Sequence, residues 1–128
     1  MANELSIGIT FRAVKAFTNL ALSVATFRAT WTGTKYTGRV QPIGNVAHEE
    51  LVVDADISAR GWLVFRHVGT TGTVEVGVDT AGDGTGTFIP FSSVTTGQPG
   101  MVYLPATTRI FAKSSAGTIN LEYTVLEA

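Results

Sequence analysis

The stretch GWLVFRHVGTTGTVEVGVD, residues 61–79, decides the fold of this chain. In extended backbone the side chains of its first part alternate between two faces, Trp62, Val64 and Arg66 on one and Leu63, Phe65 and His67 on the other. Neither face is wholly polar at its centre. A strand with apolar residues on both faces is typical of the middle of a sheet, so residues 61–68 are predicted to form a central strand.

The second part of the stretch, TVEVGVD at residues 73–79, alternates more strictly. The residues predicted to face the core are Val74, Val76 and Val78, and those predicted to face outward are Thr73, Glu75, Gly77 and Asp79. The connection GTTG, residues 69–72, has glycine at both ends. Such a short connection favours a β-hairpin, in which the two strands are neighbours in one sheet.

From about residue 34 onward the chain consists of short runs rich in Thr, Val and aromatic residues, separated by Gly, Pro, Asn and Asp. One further strand is predicted to close at residues 51–53, and others are predicted at residues 86–91, 101–104, 109–113 and 118–126. Pro90, Pro99 and Pro105 are predicted to lie at strand ends or in edge strands, where a missing N–H costs little. The pattern predicts an all-β fold, a single antiparallel β-sandwich of jelly-roll type.

The N-terminal quarter allows two interpretations. Alternation typical of strands is found at Leu5, Ile7, Ile9 and Phe11, and again at Leu20, Leu22 and Val24. Apolar residues between positions 11 and 27 also recur at spacings of three and four, which fits a short helix at residues 12–19. The Thr and Ser residues there are mediocre helix formers and favour strand. We expect one domain, residues 1–128, with 1–33 as an N-terminal arm or first strands and 34–128 as the main sandwich.

Composition excludes several classes of function. The chain has 128 residues, of which 45% are hydrophobic and 15% charged, with a net charge of −1 and no cysteine. The absence of a basic cluster argues against nucleic-acid binding, and no apolar run is long enough to cross a membrane. The N-terminus shows no secretory signal pattern. Because ordinary domains carry about 25% charged residues, part of this surface is expected to be covered by further copies, as a homo-oligomer, or by another protein.

Clusters that suggest catalysis or metal binding have simpler interpretations. The loop GDGTG, residues 82–86, lacks the Lys and helix of a phosphate loop and is predicted to be a turn, with Asp79 and Asp83 as calcium ligands the alternative. His48, Glu50 and His67 offer zinc-ligand chemistry but are far apart in the chain, so a polar strand face or an ion-pair group is favoured.

Glu49, Glu50, Asp54 and Asp56 are the candidate carboxylates for glycoside hydrolysis, but their closeness in sequence does not establish a cleft, so we interpret them as solvated acids. No serine lies in a nucleophile-elbow motif. We therefore assign no catalytic, metal-binding or cofactor-binding residue, and expect a protein that is not an enzyme and carries no cofactor.

The remaining candidate residues are aromatic. Trp31, Tyr36 and Trp62, together with Tyr103, are predicted to fill the core or an oligomer interface. The alternative is a platform on which these rings stack against sugars.

The last two-thirds of the chain resembles small β-rich virion proteins of tailed bacteriophages. The runs that carry the resemblance are AHEEL at 47–51, GWLVFR at 61–66, VEVGVD at 74–79, FIPF at 88–91, GQPG at 97–100, IFAK at 110–113 and LEYTVLE at 121–127. Where those phage proteins often have Asn after the GWLVFR-like strand, this chain has His67.

This resemblance implies a virion structural protein, synthesised in the host cytoplasm and located on the particle. Its expected role is that of a capsid decoration protein, which binds as an oligomer to other virion proteins such as the major capsid protein. A tail-tip or tail-fibre component, or a carbohydrate-binding module that recognises the host, is the alternative. The resemblance implies no catalytic residue.

Overall fold

The computed structural model describes residues 4–15, 18–30, 33–105 and 108–128, and among these every regular element is a β-strand. The chain divides into two compact units, Met1–Thr32 and Gly33–Ala128. All strand pairs in the described residues are antiparallel. The described residues include no helix long and apolar enough to cross a membrane.

The first unit is a long hairpin. β1 (Glu4–Lys15) pairs with β2 (Thr18–Thr30) from Glu4 opposite Thr30 to Lys15 opposite Thr18. The register shifts once, between Ile7 and Ile9. The strand interpretation of this region is confirmed. The alternative, a short helix at residues 12–19, is wrong for the described part of that segment, where alternation of apolar residues outweighs their three-and-four spacing.

The second unit is a β-sandwich of two four-stranded sheets. Sheet I contains β3 (Tyr36–Ile43), β10 (Ile119–Glu127), β5 (Arg60–His67) and β8 (Pro99–Tyr103), in that order. Sheet II contains β4 (Glu49–Glu50), β9 (Phe111–Ser114), β6 (Thr73–Asp79) and β7 (Phe88–Thr95). The predicted β-sandwich is confirmed, and β5 is a central strand as its two apolar faces indicated.

The core lies between the two sheets. Sheet I contributes alternate residues of its central strands, namely Leu63 and Phe65 of β5 and Leu121, Tyr123 and Val125 of β10. Sheet II contributes Val74, Val76, Val94 and Ala112. The buried Tyr123 hydroxyl is within 2.7 Å of the Val52 carbonyl oxygen and 2.9 Å of the Gln41 side-chain oxygen, so its polar end is satisfied inside an otherwise apolar layer.

The predicted hairpin between residues 61–68 and 73–79 is wrong. β5 lies in sheet I and β6 in sheet II, so the connection at residues 69–72 passes from one sheet to the other. Leu63 and Val76 belong to the same core, but they approach it from opposite sides. Alternation of apolar residues predicts which face of a strand is buried, but it does not predict which strand pairs with it. A short link that contains glycine can connect two strands of different sheets as well as two strands of a hairpin.

Two smaller expectations also need correction. The strand predicted to close at residues 51–53 is β4, which ends earlier, at Glu50, while Leu51 follows it and is fully buried. Asp79, expected to face outward, is buried with 7% of its surface exposed. It alternates with the core residues Val74 and Val76, and the loop that follows donates hydrogen bonds to it from Ala81 and Gly82.

Prolines lie where a missing N–H does little harm. Pro42, Pro90 and Pro99 belong to β3, β7 and β8, which are edge strands of their sheets. Pro90 sits beside a register shift in the β6–β7 pair. The positions of Pro90 and Pro99 agree with the prediction that they mark strand ends or edges.

Candidate functional site

The outer face of sheet I is unusually apolar for a surface that faces away from the core. Because Leu63, Phe65 and Tyr123 point inward, the alternate residues of the same strands point outward. We call this surface the open face. It comprises Tyr36, Gly38, Val40, Trp62, Val64, Arg66, Pro99, Met101, Tyr103, Glu122, Thr124 and Leu126.

One end of the open face is aromatic. Tyr36 lies opposite Leu126 in the β3–β10 pair, and Trp62 lies opposite Tyr103 in the β5–β8 pair. The Trp62 and Tyr103 rings meet edge to face, with centroids 5.2 Å apart. Tyr36 is 65% exposed and Tyr103 58% exposed, so these rings are displayed on the surface. We call these four residues the aromatic end.

The middle of the open face contains a shallow depression of about 460 Å³. Gly38 contributes no side chain to its floor, which leaves space beside Val64 and Thr124. An ion pair borders it, in which Arg66 Nε donates to Glu122 Oε2 at 2.9 Å. The depression therefore combines an apolar floor with fixed hydrogen-bonding groups, the usual composition of a ligand site.

Exposed apolar side chains continue along the same face beyond the aromatic end. Val40 is 58% exposed, Val64 38% and Met101 37%. Scattered apolar residues are normal on a protein surface, but a contiguous apolar patch marks a binding surface. The face is suited to binding, through burial of apolar area, ring stacking and a few hydrogen bonds.

Tyr36, Trp62 and Tyr103, the described members of the aromatic group found in the sequence, are brought together on the open face. Trp31 lies outside the described residues. Sequence reasoning missed Val40, Met101 and Leu126, and named Val64 and Arg66 only as members of a strand face. The pattern that could have identified them is the alternation of outward-facing residues in β5 and β10. This alternation identifies a shared surface only when the pairing of the strands is known.

A second polar cluster lies on the outer side of sheet II. His48 Nε2 is 2.7 Å from Asp79 Oδ2, and the Asp79 side chain is fully buried. His48 stacks on Phe88, with centroids 5.3 Å apart, and meets Phe111 edge to face. We call these four residues the His48 cluster. The cluster connects the segment that contains His48 to strands of sheet II, which is a structural role.

Asp79 also organises the loop that follows it. Its Oδ1 accepts hydrogen bonds from the backbone N–H groups of Ala81, at 2.7 Å, and Gly82, at 2.8 Å. Burial opposes ionisation of this carboxyl, but the hydrogen bonds from His48 and from the loop amides outweigh it and hold the Asp79 pKa below its ordinary value. Gly82 and Gly84 adopt positive φ, as the turn interpretation of the GDGTG loop requires.

Arg109 anchors the same loop from outside. Its guanidinium forms a bidentate ion pair with the Glu50 carboxylate and donates a hydrogen bond to the Gly82 carbonyl oxygen at 2.6 Å. It also lies over the Phe111 ring, 5.7 Å from the centroid. The hydrogen bond from Arg109 lowers the pKa of Glu50, so this acid is held ionised in a structural ion pair.

The metal and acid alternatives raised by the sequence gain no geometric support. No group of three or more His, Cys, Asp or Glu side chains able to hold a metal ion occurs in the part of the chain that the structure describes. Glu50 pairs with Arg109, and Asp54 with Arg39. Asp56 lies 3.6 Å from the Lys35 ammonium. His67 is buried, and within the described ranges its Nε2 has no hydrogen-bond partner.

Comparison with known proteins identifies no family for this chain. No protein-family model matches the chain, and no curated protein matches it. The functional assignment therefore depends on the open face and on the residues that form it.

Proposed function

We propose that this protein is a non-enzymatic structural protein of a bacteriophage particle, a capsid decoration protein that binds the assembled particle as an oligomer. The observation that carries the proposal is the open face, where Val40, Val64, Met101 and the aromatic end display apolar surface on all four strands of sheet I. The resemblance to phage virion proteins includes the GWLVFR strand at the centre of this sheet. It supports the proposed location on a phage particle.

The open face is large enough for each copy of the protein to bind a partner with modest affinity. Four strands about 4.8 Å apart and three rows of outward residues give a flat area on the order of 400 Å². A standard interface buries about 800 Å² on each partner, so the face supplies roughly half of one. On a particle with many symmetry-related sites an oligomer gains avidity, which makes a small footprint per copy sufficient.

Co-sedimentation tests the proposal. Purified protein is mixed with tailed-phage particles that lack it and separated on a density gradient, and the Val64→Asp variant is compared with the unmodified chain. A carboxylate in the middle of the docking surface is expected to weaken binding at least about tenfold, because it is left unpaired in an apolar contact. Val46→Asp is the matched control, since Val46 is 91% exposed in a loop outside the open face. Equal binding by all three proteins, or by none, contradicts the proposal.

A second candidate function, binding of a carbohydrate on a tail tip or tail fibre, is favoured by one observation. The Arg66–Glu122 ion pair lines the depression. The Tyr36 ring lies beside its Gly38 floor, where an added Cβ atom would be 3.9 Å from Tyr36 Cε2, so a sugar there meets both a ring and hydrogen-bonding groups. Apolar faces of sugar rings pack on aromatic rings, while their hydroxyls need polar partners.

A glycan array followed by titration tests this candidate. Tyr36→Ala removes an exposed ring and is expected to weaken binding of a captured glycan about tenfold, whereas Tyr36→Phe keeps the ring and stays within about twofold. An array without hits, or a glycan whose binding is unchanged in Tyr36→Ala, would remove the candidate.

A further inference from the structure

β8 uses the backbone groups of alternate residues to pair with β5. Leu104 N donates to the Gly61 carbonyl oxygen at 2.7 Å, and the Gln98 carbonyl oxygen accepts a hydrogen bond from His67 N at 3.3 Å. In an antiparallel pair the groups that point to one neighbour recur at every second residue. The even-numbered residues of β8 are therefore the ones that pair with β5.

The backbone groups of the odd-numbered residues point to the outer side of β8. Met101 and Tyr103 present both N–H and C=O there, whereas Pro99 presents only its C=O. Within the described residues no strand pairs with β8 on this side. The side chains of the same three residues belong to the open face, so the free edge and the apolar surface adjoin.

The other edge strands of the sandwich are shielded. The segment after β4 runs beside β3, where Thr37 Oγ1 accepts a hydrogen bond from Asp54 N at 2.9 Å. β4 has only two residues, and β7 contains Pro90 beside a register shift. Between Pro99 and Pro105, by contrast, β8 has neither a charged residue nor a register shift. An uncharged, regular edge is a template for a further strand.

The chain enters sheet I at the edge far from β8. Thr34 N donates to Glu127 Oε2 at 3.1 Å, and Glu127 N donates to the Lys35 carbonyl oxygen at 3.0 Å. These bonds fix residues 34–35 beside the end of β10, just before β3 begins. β3 and β8 are the two edges of a four-stranded sheet, about 14 Å apart. This favours another molecule as the source of a strand added to β8.

We infer that β8 of a second copy occupies this edge, antiparallel to the first and related to it by a two-fold axis at Met101. In this register the two Met101 residues exchange two backbone hydrogen bonds. Each Tyr103 N–H donates to the Pro99 C=O of the other copy, so the N–H that proline lacks falls opposite a carbonyl that stays open to water. Every copy carries the same edge, which makes the contact self-complementary, as a closed dimer requires.

The area of the open face favours a second copy over an unrelated strand. A two-fold axis perpendicular to the sheet places both open faces on the same side of one eight-stranded sheet. Two faces on the order of 400 Å² each then supply about 800 Å², the area that one partner of a standard interface buries. The inference rests on the proposed function and deepens it, because it names the edge that joins the copies of the docking oligomer.

Light scattering of the full chain over a range of concentrations tests the inference. The unmodified protein is expected to be a dimer. Met101→Lys places two ammonium groups opposite each other and is expected to raise the dissociation constant at least about tenfold. Val40→Lys, on the same face but in the other edge strand, is the matched control and leaves the mass unchanged. A monomeric unmodified protein overturns the inference, and so does a dimer that survives Met101→Lys.

A mixing experiment covers the case in which Met101→Lys disturbs folding. Met101→Glu alone is also expected to be monomeric, whereas an equimolar mixture of the two variants forms a dimer, because opposite charges then meet across the axis. Two variants that remain monomeric when mixed, although circular dichroism shows both folded, overturn the two-fold register.

Amide hydrogen exchange identifies what covers the edge. At a concentration where the unmodified protein is a dimer, its Tyr103 amide is expected to exchange at least about tenfold more slowly than that of Met101→Lys. Slow exchange in a monomer would place the cover within one chain and overturn the inference. A dimer in which this amide exchanges rapidly would place the contact elsewhere and overturn it too.

The two proposals can fail separately, because the dimer is measured without particles. A dimer that forms through β8 but does not bind particles removes the proposed function and leaves this inference intact. An unmodified protein that binds particles as a monomer overturns the inference and leaves the docking role of the open face.

Discussion

At the scale of single residues, the packing of sheet I depends on a glycine beneath a buried ring. Gly100 of β8 lies opposite Phe65 of β5. A Cβ atom added at Gly100 would lie 2.3 Å from Phe65 Cζ, closer than any non-bonded contact allows. Phe65 is 1% exposed and packed in the core, so its ring has little space to move aside. The glycine at this position is required by the core and not by a turn.

Gly100→Ala is therefore expected to destabilise the protein by about 1–3 kcal/mol, the usual cost of forcing an extra group into a packed core. Chemical denaturation monitored by Trp fluorescence measures it. Gly38→Ala is the matched control, because Gly38 also lies in an edge strand of sheet I, and its added Cβ would have only an ordinary contact at 3.7 Å. A Gly100→Ala protein as stable as Gly38→Ala would show that Phe65 does not occupy this position.

The sequence identified Phe65 as one member of an alternating face, and Gly100 only as part of the GQPG run. The requirement for glycine arises from the β5–β8 register, which brings together residues far apart in the chain. The same holds for Asp79, whose alternation pointed outward. Its burial depends on His48, and a contact between residues 31 positions apart leaves no mark in local periodicity.

At the scale of elements, the loop of residues 80–87 is held by one carboxylate. Asp79 receives His48 Nε2 on one oxygen and the backbone amides of Ala81 and Gly82 on the other. Arg109 adds a contact to the Gly82 carbonyl from outside. The loop resembles a phosphate loop in composition. Its glycines, however, allow a turn whose backbone amides donate hydrogen bonds to the Asp79 carboxylate.

This arrangement gives stability a defined dependence on pH. The pKa of Asp79 is lower in the folded protein than the value of about 3.9 in an unfolded chain. Its contribution is therefore fully present above about pH 4 and is lost as the pH falls through the folded-state value. Asp79→Asn is expected to lower the melting temperature at pH 7, and to show a smaller further decrease between pH 7 and pH 2 than the unmodified chain.

Thermal unfolding followed by circular dichroism measures both effects. Asp56→Asn serves as the control, because the Asp56 side chain is 63% exposed and only borders Lys35. Its pH profile should match that of the unmodified protein. Identical profiles for Asp79→Asn and Asp56→Asn would contradict the anchoring role of Asp79.

Strand existence was predictable for β5, β6 and β10, whose alternation is long and regular, and strand partnership was not. The link at residues 69–72 is short enough for a hairpin, but β5 and β6 lie in different sheets, on opposite sides of the core. Since pairing decides which outward residues become neighbours, the open face could not be assembled from the sequence. Three of its members, Tyr36, Trp62 and Tyr103, were proposed from residue type alone.

At the scale of the whole molecule, the open face of the sandwich is an apolar surface on which Tyr36 and Tyr103 are more than half exposed. A chain with only 15% charged residues is consistent with this surface being covered in an assembly.

A binding surface that lies outside the core predicts a defect in binding without a defect in folding. Val64→Asp should reduce particle binding and change the melting temperature little, because Val64 lies outside the core. Melting curves and gradient co-sedimentation on the same preparations compare the two properties. A Val64→Asp protein that unfolds would mean that this face contributes to the fold rather than to binding.

The central claim is that the open face of sheet I is the surface that meets the particle. Electron cryomicroscopy of phage particles saturated with the protein tests it most directly. We predict that Val64 and Met101 lie within about 4.5 Å of apolar atoms of the capsid. Density in which this face is exposed to solvent while another surface contacts the capsid would contradict the account.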